Sequence, residues 1–168
     1  GANVCVFPEL CLTGYTCGDL FLHDRLVRGA LEGLKAVLEK TREVDMLIVV
    51  GLPVADGNCL YNCAAVLQGG HVLGVVPKTH LPNYAEFYEL RQFAPAFEGR
   101  RALHWFGEEV PFAANLLFAC RELPEFVVGV EICEALWAPL PTGVRLALAG
   151  ATVLLNPSAS DALAGKRD

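Results

Sequence analysis

Short apolar runs separated by polar turns punctuate the chain, and one longer stretch carries a helical period. From residue 22 to about residue 42, Leu22, Leu26, Ala30, Leu34 and Leu38 recur every fourth position, with Val27, Leu31 and Val37 beside them. That spacing gathers the apolar side chains on one helical face and leaves Glu32, Lys35, Glu39 and Lys40 for water. Residues 141–149 form a second helix candidate. The other runs are short enough for strands: residues 3–7, 46–50, 61–67, 71–76, 115–119, 127–132 and 151–155. Two of these meet at Gly69-Gly70 as a β-hairpin, and Asp56-Gly57-Asn58 reads as another turn. Gly14 is free to take a positive φ in the turn before Tyr15. Residues 84–89 mix aromatic and acidic side chains, in a short helix or a loop over a pocket. The stretch 93–109, interrupted by Pro95, Gly99 and Gly107, reads as a surface loop in which His104 and Trp105 are structural.

The strand runs are almost wholly apolar, as in sheets covered on both faces. Alternating strands and helices with a hairpin exclude a purely parallel sheet, so the fold class is α+β, a mixed sandwich. No repeat, low-complexity tract or interdomain linker divides the 168 residues, which suffice for one sizeable core.

Composition narrows the function classes. The chain is 54% hydrophobic, yet its longest apolar runs, 46–55 and 146–155, are about ten residues, too short to span a bilayer. Buried strands account for the mean hydropathy of +0.40. A net charge of -6, with basic pairs only at Arg100-Arg101 and Lys166-Arg167, disfavours nucleic acid as a partner. The seven cysteines are an odd number, nothing resembles a signal peptide, and Cys59-x3-Cys63 has no second pair to complete a zinc site. Reduced thiols and a cytoplasmic location are expected. His23, His71, His80 and His104 are scattered, which disfavours metal catalysis.

Three chemistry-bearing residues each stand at the end of an apolar strand. Glu9 follows the first, Lys78 lies between Pro77 and Pro82, and Cys133 marks a strand-to-helix junction flanked by Glu131 and Glu134. Strand-end cysteines are commonly packing residues, and a strand-end lysine commonly points into water. A helix start would, however, lower the pKa of Cys133. Neighbouring strand ends converge, so a carboxylate, an ammonium and a thiol could share one pocket. The set is chemically complete: base, oxyanion-stabilising cation and nucleophile.

Three boxes make the pattern specific: Phe7-Pro8-Glu9-Leu10 with Gly14-Tyr15, Pro77-Lys78 with Leu81-Pro82, and Glu131-Ile132-Cys133-Glu134 with Leu136-Trp137 and Pro139. Together they resemble the signatures of the nitrilase superfamily of carbon–nitrogen hydrolases. Within it they are similar to the glutamine-hydrolysing domain of bacterial glutamine-dependent NAD+ synthetases, over most of the chain. The resemblance implies a nitrilase-like α-β-β-α sandwich spanning residues 1–168, with Glu9 as general base, Lys78 as the oxyanion's cation and Cys133 as nucleophile. It implies a glutamyl thioester and released ammonia, with Tyr84, Ser160 and Lys166 binding glutamine. It places ATP and magnesium in a separate C-terminal synthetase domain of the same polypeptide, which amidates deamido-NAD, and expects no cofactor in this domain. It also implies a homo-oligomer.

The chain starts at Gly1 already entering a strand and has no Ser-Gly-Gly pyrophosphatase loop, so an incomplete domain is expected, with the synthetase part elsewhere. Ala135 stands where the family usually carries Asp. Two other readings stay open: a stand-alone nitrilase-superfamily amidase or carbamoylase acting on another small amide, and a non-catalytic relative.

Overall fold

A computed structural model describes residues 1–161, 164 and 165. Strand β1 (Val4–Val6) leads through a 3₁₀ turn at Gly18–Leu22 into helix α1 (Asp24–Lys40), which returns the chain to β2 (Leu47–Asp56). Then follow β3 (Cys59–Gln68), β4 (His71–Pro77), β5 (Arg101–Trp105), β6 (Glu108–Phe112), β7 (Leu117–Ala119), β8 (Val127–Val130), α2 (Thr142–Leu148) and β9 (Val153–Leu155). Six strands form one sheet in the order β1-β2-β3-β4-β6-β5, and three form another in the order β7-β8-β9. Strands β1 and β2 pair in parallel across α1, and β8 and β9 pair in parallel across α2. Each helix supplies the crossover that its parallel pair requires, and β4 and β6 also pair in parallel, across β5.

Alternation along the long strands builds four layers. In β2, Ile48, Val50, Leu52 and Val54 face α1 and pack with its Ala30, Leu34 and Leu38. Val49 points the other way, and with Ala64, Val66 and Val76 it meets Val128, Val130 and Ile132 of the smaller sheet. Helix α2 covers that sheet's outer side, where a Cβ on Gly129 would come within 3.1 Å of Leu146. The sequence is thus apolar without alternation because both faces of β2 and β3 are covered. The result is the expected α-β-β-α sandwich.

Helix α1 buries Ala30, Leu34 and Leu38, the predicted stripe, with Asp24 in its first turn and Lys40 in its last to complement the macrodipole. It is shorter than expected, because residues 18–22 form a separate turn. The stretch 93–109 departs from its expected loop. Residues 101–112 are a hairpin that extends the large sheet, with Trp105 paired to Glu108 around Phe106-Gly107. Both turn residues take positive φ, 54° and 86°, the tight-turn geometry that Gly69-Gly70 also uses. Gly107 therefore marks a turn between strands rather than a loop; Leu103, Val110 and Phe112 carry the inward alternation.

Candidate active site

The first, fourth, eighth and ninth strands end on one side of the molecule, and the segments leaving them bring the predicted residues together. Glu9 follows β1, Lys78 follows β4, Cys133 follows β8, and residues 156–160 follow β9. Glu9 and Lys78 are 2% and 1% exposed, so Lys78 is no solvating strand-end lysine. The Lys78 Nζ donates to Glu9 Oε1 at 2.6 Å and to Glu89 Oε1 at 2.6 Å. Asn62, inside β3, donates from Nδ2 to Glu9 Oε1 at 2.7 Å and to Glu89 Oε2 at 3.4 Å. The Tyr15 hydroxyl donates to Glu89 Oε1 at 2.7 Å. Two carboxylates thus share one ammonium away from water.

Burial pulls the Lys78 pKa down, and the two carboxylates more than reverse this, so the ammonium stays protonated above its ordinary range. Burial, aided by the charge of Glu9, pushes the Glu89 carboxyl up despite Lys78.

Cys133 opens a 3₁₀ turn at Cys133–Trp137 and takes a φ of 45°. Its Sγ accepts a hydrogen bond from Ser158 Oγ at 3.1 Å, its N–H donates to the Pro157 carbonyl, and Ala159 N donates to Glu9 Oε2 at 3.1 Å. The β9 exit therefore bridges thiol and carboxylate. The expected lowering of the Cys133 pKa is not what the structure produces. Burial, then the charge of Glu9, raises the thiol above its ordinary value, against the opposing pull of Ser158, Lys78 and Ala159 N–H. A five-residue 3₁₀ turn supplies too little dipole to overcome a buried carboxylate neighbour. The resting group is a thiol, which suits activation by a base.

The flanking acids serve other ends. Glu131 is buried and accepts the Gly143 N–H at 2.7 Å, tying β8 to the start of α2. Glu134 accepts from the exposed Tyr84 hydroxyl at 3.0 and 2.9 Å, next to Cys133 in sequence. Ser160 reaches the thiol through Ser158, at 3.0 Å between hydroxyls. Lys166 lies outside the described residues. Ala135, two residues after Cys133, is fully buried, its N–H on the Ile132 carbonyl. The sequence reading passed over Asn62, Glu89, Tyr15 and Ser158 as site residues. Only Asn62 left a signal of its own, an amide inside an apolar strand.

The carbon-nitrogen hydrolase family model matches residues 1–167. The glutamine-dependent NAD(+) synthetase of Mycobacterium tuberculosis is 44% identical over 168 residues, covering 100% of this chain and 25% of that protein. The protein of the same name from Thermotoga maritima is 34% identical over 167 residues, covering 99% of this chain and 26% of its own length. The crystal structure of a glutamine-dependent NAD(+) synthetase from Cytophaga hutchinsonii superposes with a TM-score of 0.81 at 30% identity, covering 98% of this chain and 26% of that one. An amidase from Nesterenkonia sp. shares the fold, with a TM-score of 0.68 at 21% identity over 96% of this chain and 54% of its own. The chain spans about a quarter of the length of the synthetases it matches.

Proposed function

The chain belongs to the carbon–nitrogen hydrolase family, and we propose that it is the glutaminase part of a glutamine-dependent NAD+ synthetase. The observation that carries this is the buried Glu9–Lys78 pair beside the half-buried Cys133, in a chain alike to such synthetases over its full length. Glu9 takes the proton of the Cys133 thiol as its sulfur attacks the side-chain amide carbon of glutamine. Lys78 stabilises the oxyanion of the tetrahedral intermediate. The C–N bond breaks, the nitrogen leaves as ammonia with the proton from Glu9, and a thioester remains on Cys133. Water then gives a proton to Glu9 and its oxygen to the acyl carbon, glutamate departs, and the proton returns to sulfur.

Tyr84 and Glu134, hydrogen-bonded at the site's exposed side, offer a hydroxyl and a carboxylate to the substrate's charged amino-acid end. Ser160 and Lys166 complete that subsite in this proposal. Ammonia then serves ATP-dependent amidation of deamido-NAD in a C-terminal synthetase domain. ATP and magnesium belong to that domain; among the described residues of this chain no three His, Cys, Asp or Glu side chains gather as metal ligands. No described helix is long and apolar enough to cross a membrane. For a homo-oligomer, exposed Trp137, Leu140, Val144 and Leu148 offer an apolar surface on and before α2.

The test is exposure of the intact protein to a diazo-ketone analogue of glutamine, followed by intact mass and peptide mapping. A single adduct on Cys133, blocked by excess glutamine, is expected. A folded protein that leaves Cys133 unlabelled overturns the proposal. Hydrolysis of other small amides with glutamine untouched would replace it with a stand-alone amidase or carbamoylase.

A further inference from the structure

Strand β3 runs Tyr61, Asn62, Cys63, Ala64, Ala65, Val66, Leu67 through the middle of the large sheet, all of them buried. One amide interrupts this apolar series. Its Oδ1 accepts no hydrogen bond from any described residue, while its Nδ2 is directed at two carboxylates. Reversing the amide would set oxygen against oxygen 2.7 Å from Glu9 Oε1, so the charges around it determine its orientation. Among the described residues, its side-chain hydrogen bonds all go to the site.

We infer that Asn62 is a positioning residue, whose amide and Lys78 together occupy Glu9 Oε1 and so leave Glu9 Oε2 as the oxygen that exchanges protons with Cys133. The bond lengths divide the carboxylate unequally. Oε1 accepts from Lys78 at 2.6 Å and from Asn62 at 2.7 Å, whereas among the described residues Oε2 accepts only the Ala159 N–H at 3.1 Å. Oε2 is also the oxygen beside the segment whose Ser158 reaches the Cys133 sulfur. The second Asn62 N–H reaches Glu89, so one amide spans both acids that compete for Lys78. The titratable groups facing this arrangement are Glu9, Lys78 and Glu89, with Tyr15 on Glu89 and Cys133 across Glu9. Asn62 therefore fixes which oxygen of the base is left toward the thiol.

This inference rests on the glutaminase proposal only for its substrate. The test compares Asn62→Val with Asn62→Thr in the intact protein, two side chains of one shape that differ by a hydroxyl donor. Glutamine kcat and KM are followed, and so is the rate of Cys133 alkylation by iodoacetamide, with thermal melting as a check on folding. Removing the donor is expected to lower kcat by roughly 10- to 100-fold, part of the ~10²–10⁴ that a positioned base contributes. KM stays within about threefold, because Asn62 acts on the base rather than on substrate. Alkylation of Cys133 at one fixed pH slows in the valine variant along with kcat, and the threonine variant recovers part of each loss. If valine does not fold there, Asn62→Ala against Asn62→Ser makes the same comparison. Folded variants with unchanged kcat, or equal behaviour with and without the hydroxyl, overturn the inference. A wild-type protein inert to glutamine would instead sink the glutaminase proposal, and the alkylation rates would still decide the role of Asn62.

Discussion

Gly51 lies in the middle of β2, against the backbone that carries Glu9. A Cβ placed there would stand 2.2 Å from Leu10 N and 2.9 Å from both the Glu9 carbonyl carbon and the Pro8 oxygen. Ordinary contact begins near 3.4 Å, so in Gly51→Ala the 8–10 segment must retreat by about 1.2 Å. The atoms in the way are backbone, pinned by Leu12 N–H on the Gly51 carbonyl and Phe7 N–H on the Val49 carbonyl, and cannot swing aside as a side chain would. A retreat of that size takes the Lys78–Glu9 bond of 2.6 Å and the Asn62–Glu9 bond of 2.7 Å past useful hydrogen-bond length. Overpacking of this kind costs about 1–3 kcal/mol, or a Tm fall of roughly 2–10 °C for a domain of this size. Misplacing a catalytic group by about 1 Å costs on the order of 100-fold in rate. Gly33→Ala in α1 is the control: nothing lies within 4 Å of its Cβ, and relief of glycine's helix penalty should add up to about 1 kcal/mol. Urea titration and glutamine turnover of both variants in the intact protein test the argument. A Gly51→Ala protein with wild-type midpoint and kcat/KM would refute the claim that this close approach sets Glu9.

Other perturbations follow from the same contacts. Lys78→Met leaves two buried carboxylates without their cation and should destabilise by about 3–5 kcal/mol near neutral pH. Because burial holds the Glu89 pKa above its ordinary value, the deficit should shrink as pH falls through that raised value and Glu89 takes up its proton; melting at several pH values would show it. A loss independent of pH would contradict that. Iodoacetamide alkylation of Cys133 without substrate should keep accelerating beyond pH 9, since the buried thiol titrates above its ordinary value; a plateau near neutrality would show a resting thiolate. Glu131→Ala removes the carboxylate from the Gly143 N–H and should cost about 1.5–3 kcal/mol, whereas Glu131→Gln keeps an acceptor and should cost much less. Equal losses in denaturant titrations would place the value of Glu131 elsewhere.

What the sequence made legible follows from how local each signal is. The α1 stripe and the Gly69-Gly70 hairpin are written within a few residues, and both were readable. The hairpin at residues 101–112 was not, because Pro95 and Gly99 precede it and its Phe106-Gly107 turn sits where a loop already seemed sufficient. Glu9, Lys78 and Cys133 could be grouped because each ends an apolar strand. Glu89 could not be singled out from Glu86 nearby, since only the fold of residues 82–93 buries one and not the other. The direction of the Cys133 pKa was likewise hidden: it depends first on burial by the folded chain and then on a carboxylate 124 positions away in the chain.

The site is costly to hold, and that cost is what made it visible. Among described residues other than glycine, Leu10, Ala85, Phe106 and Cys133 have positive φ, and only Phe106 is explained by a hairpin turn. The other three follow Glu9, follow Tyr84, or are the thiol itself. Each such residue costs of order 1–3 kcal/mol and persists only where its surroundings over-determine it. Here the fixing contacts are a buried charge cluster with one more carboxylate than ammonium, itself a poor source of stability. Strain and buried charge therefore coincide where a core built for stability alone would have neither. The covered β2 and β3 strands and the Leu10, Phe21 and Phe93 cluster behind the site supply the packing that offsets both. This division of labour explains why changes at Gly51 or Lys78 should reduce stability and rate together, while changes on the exposed face of α1 should affect stability alone.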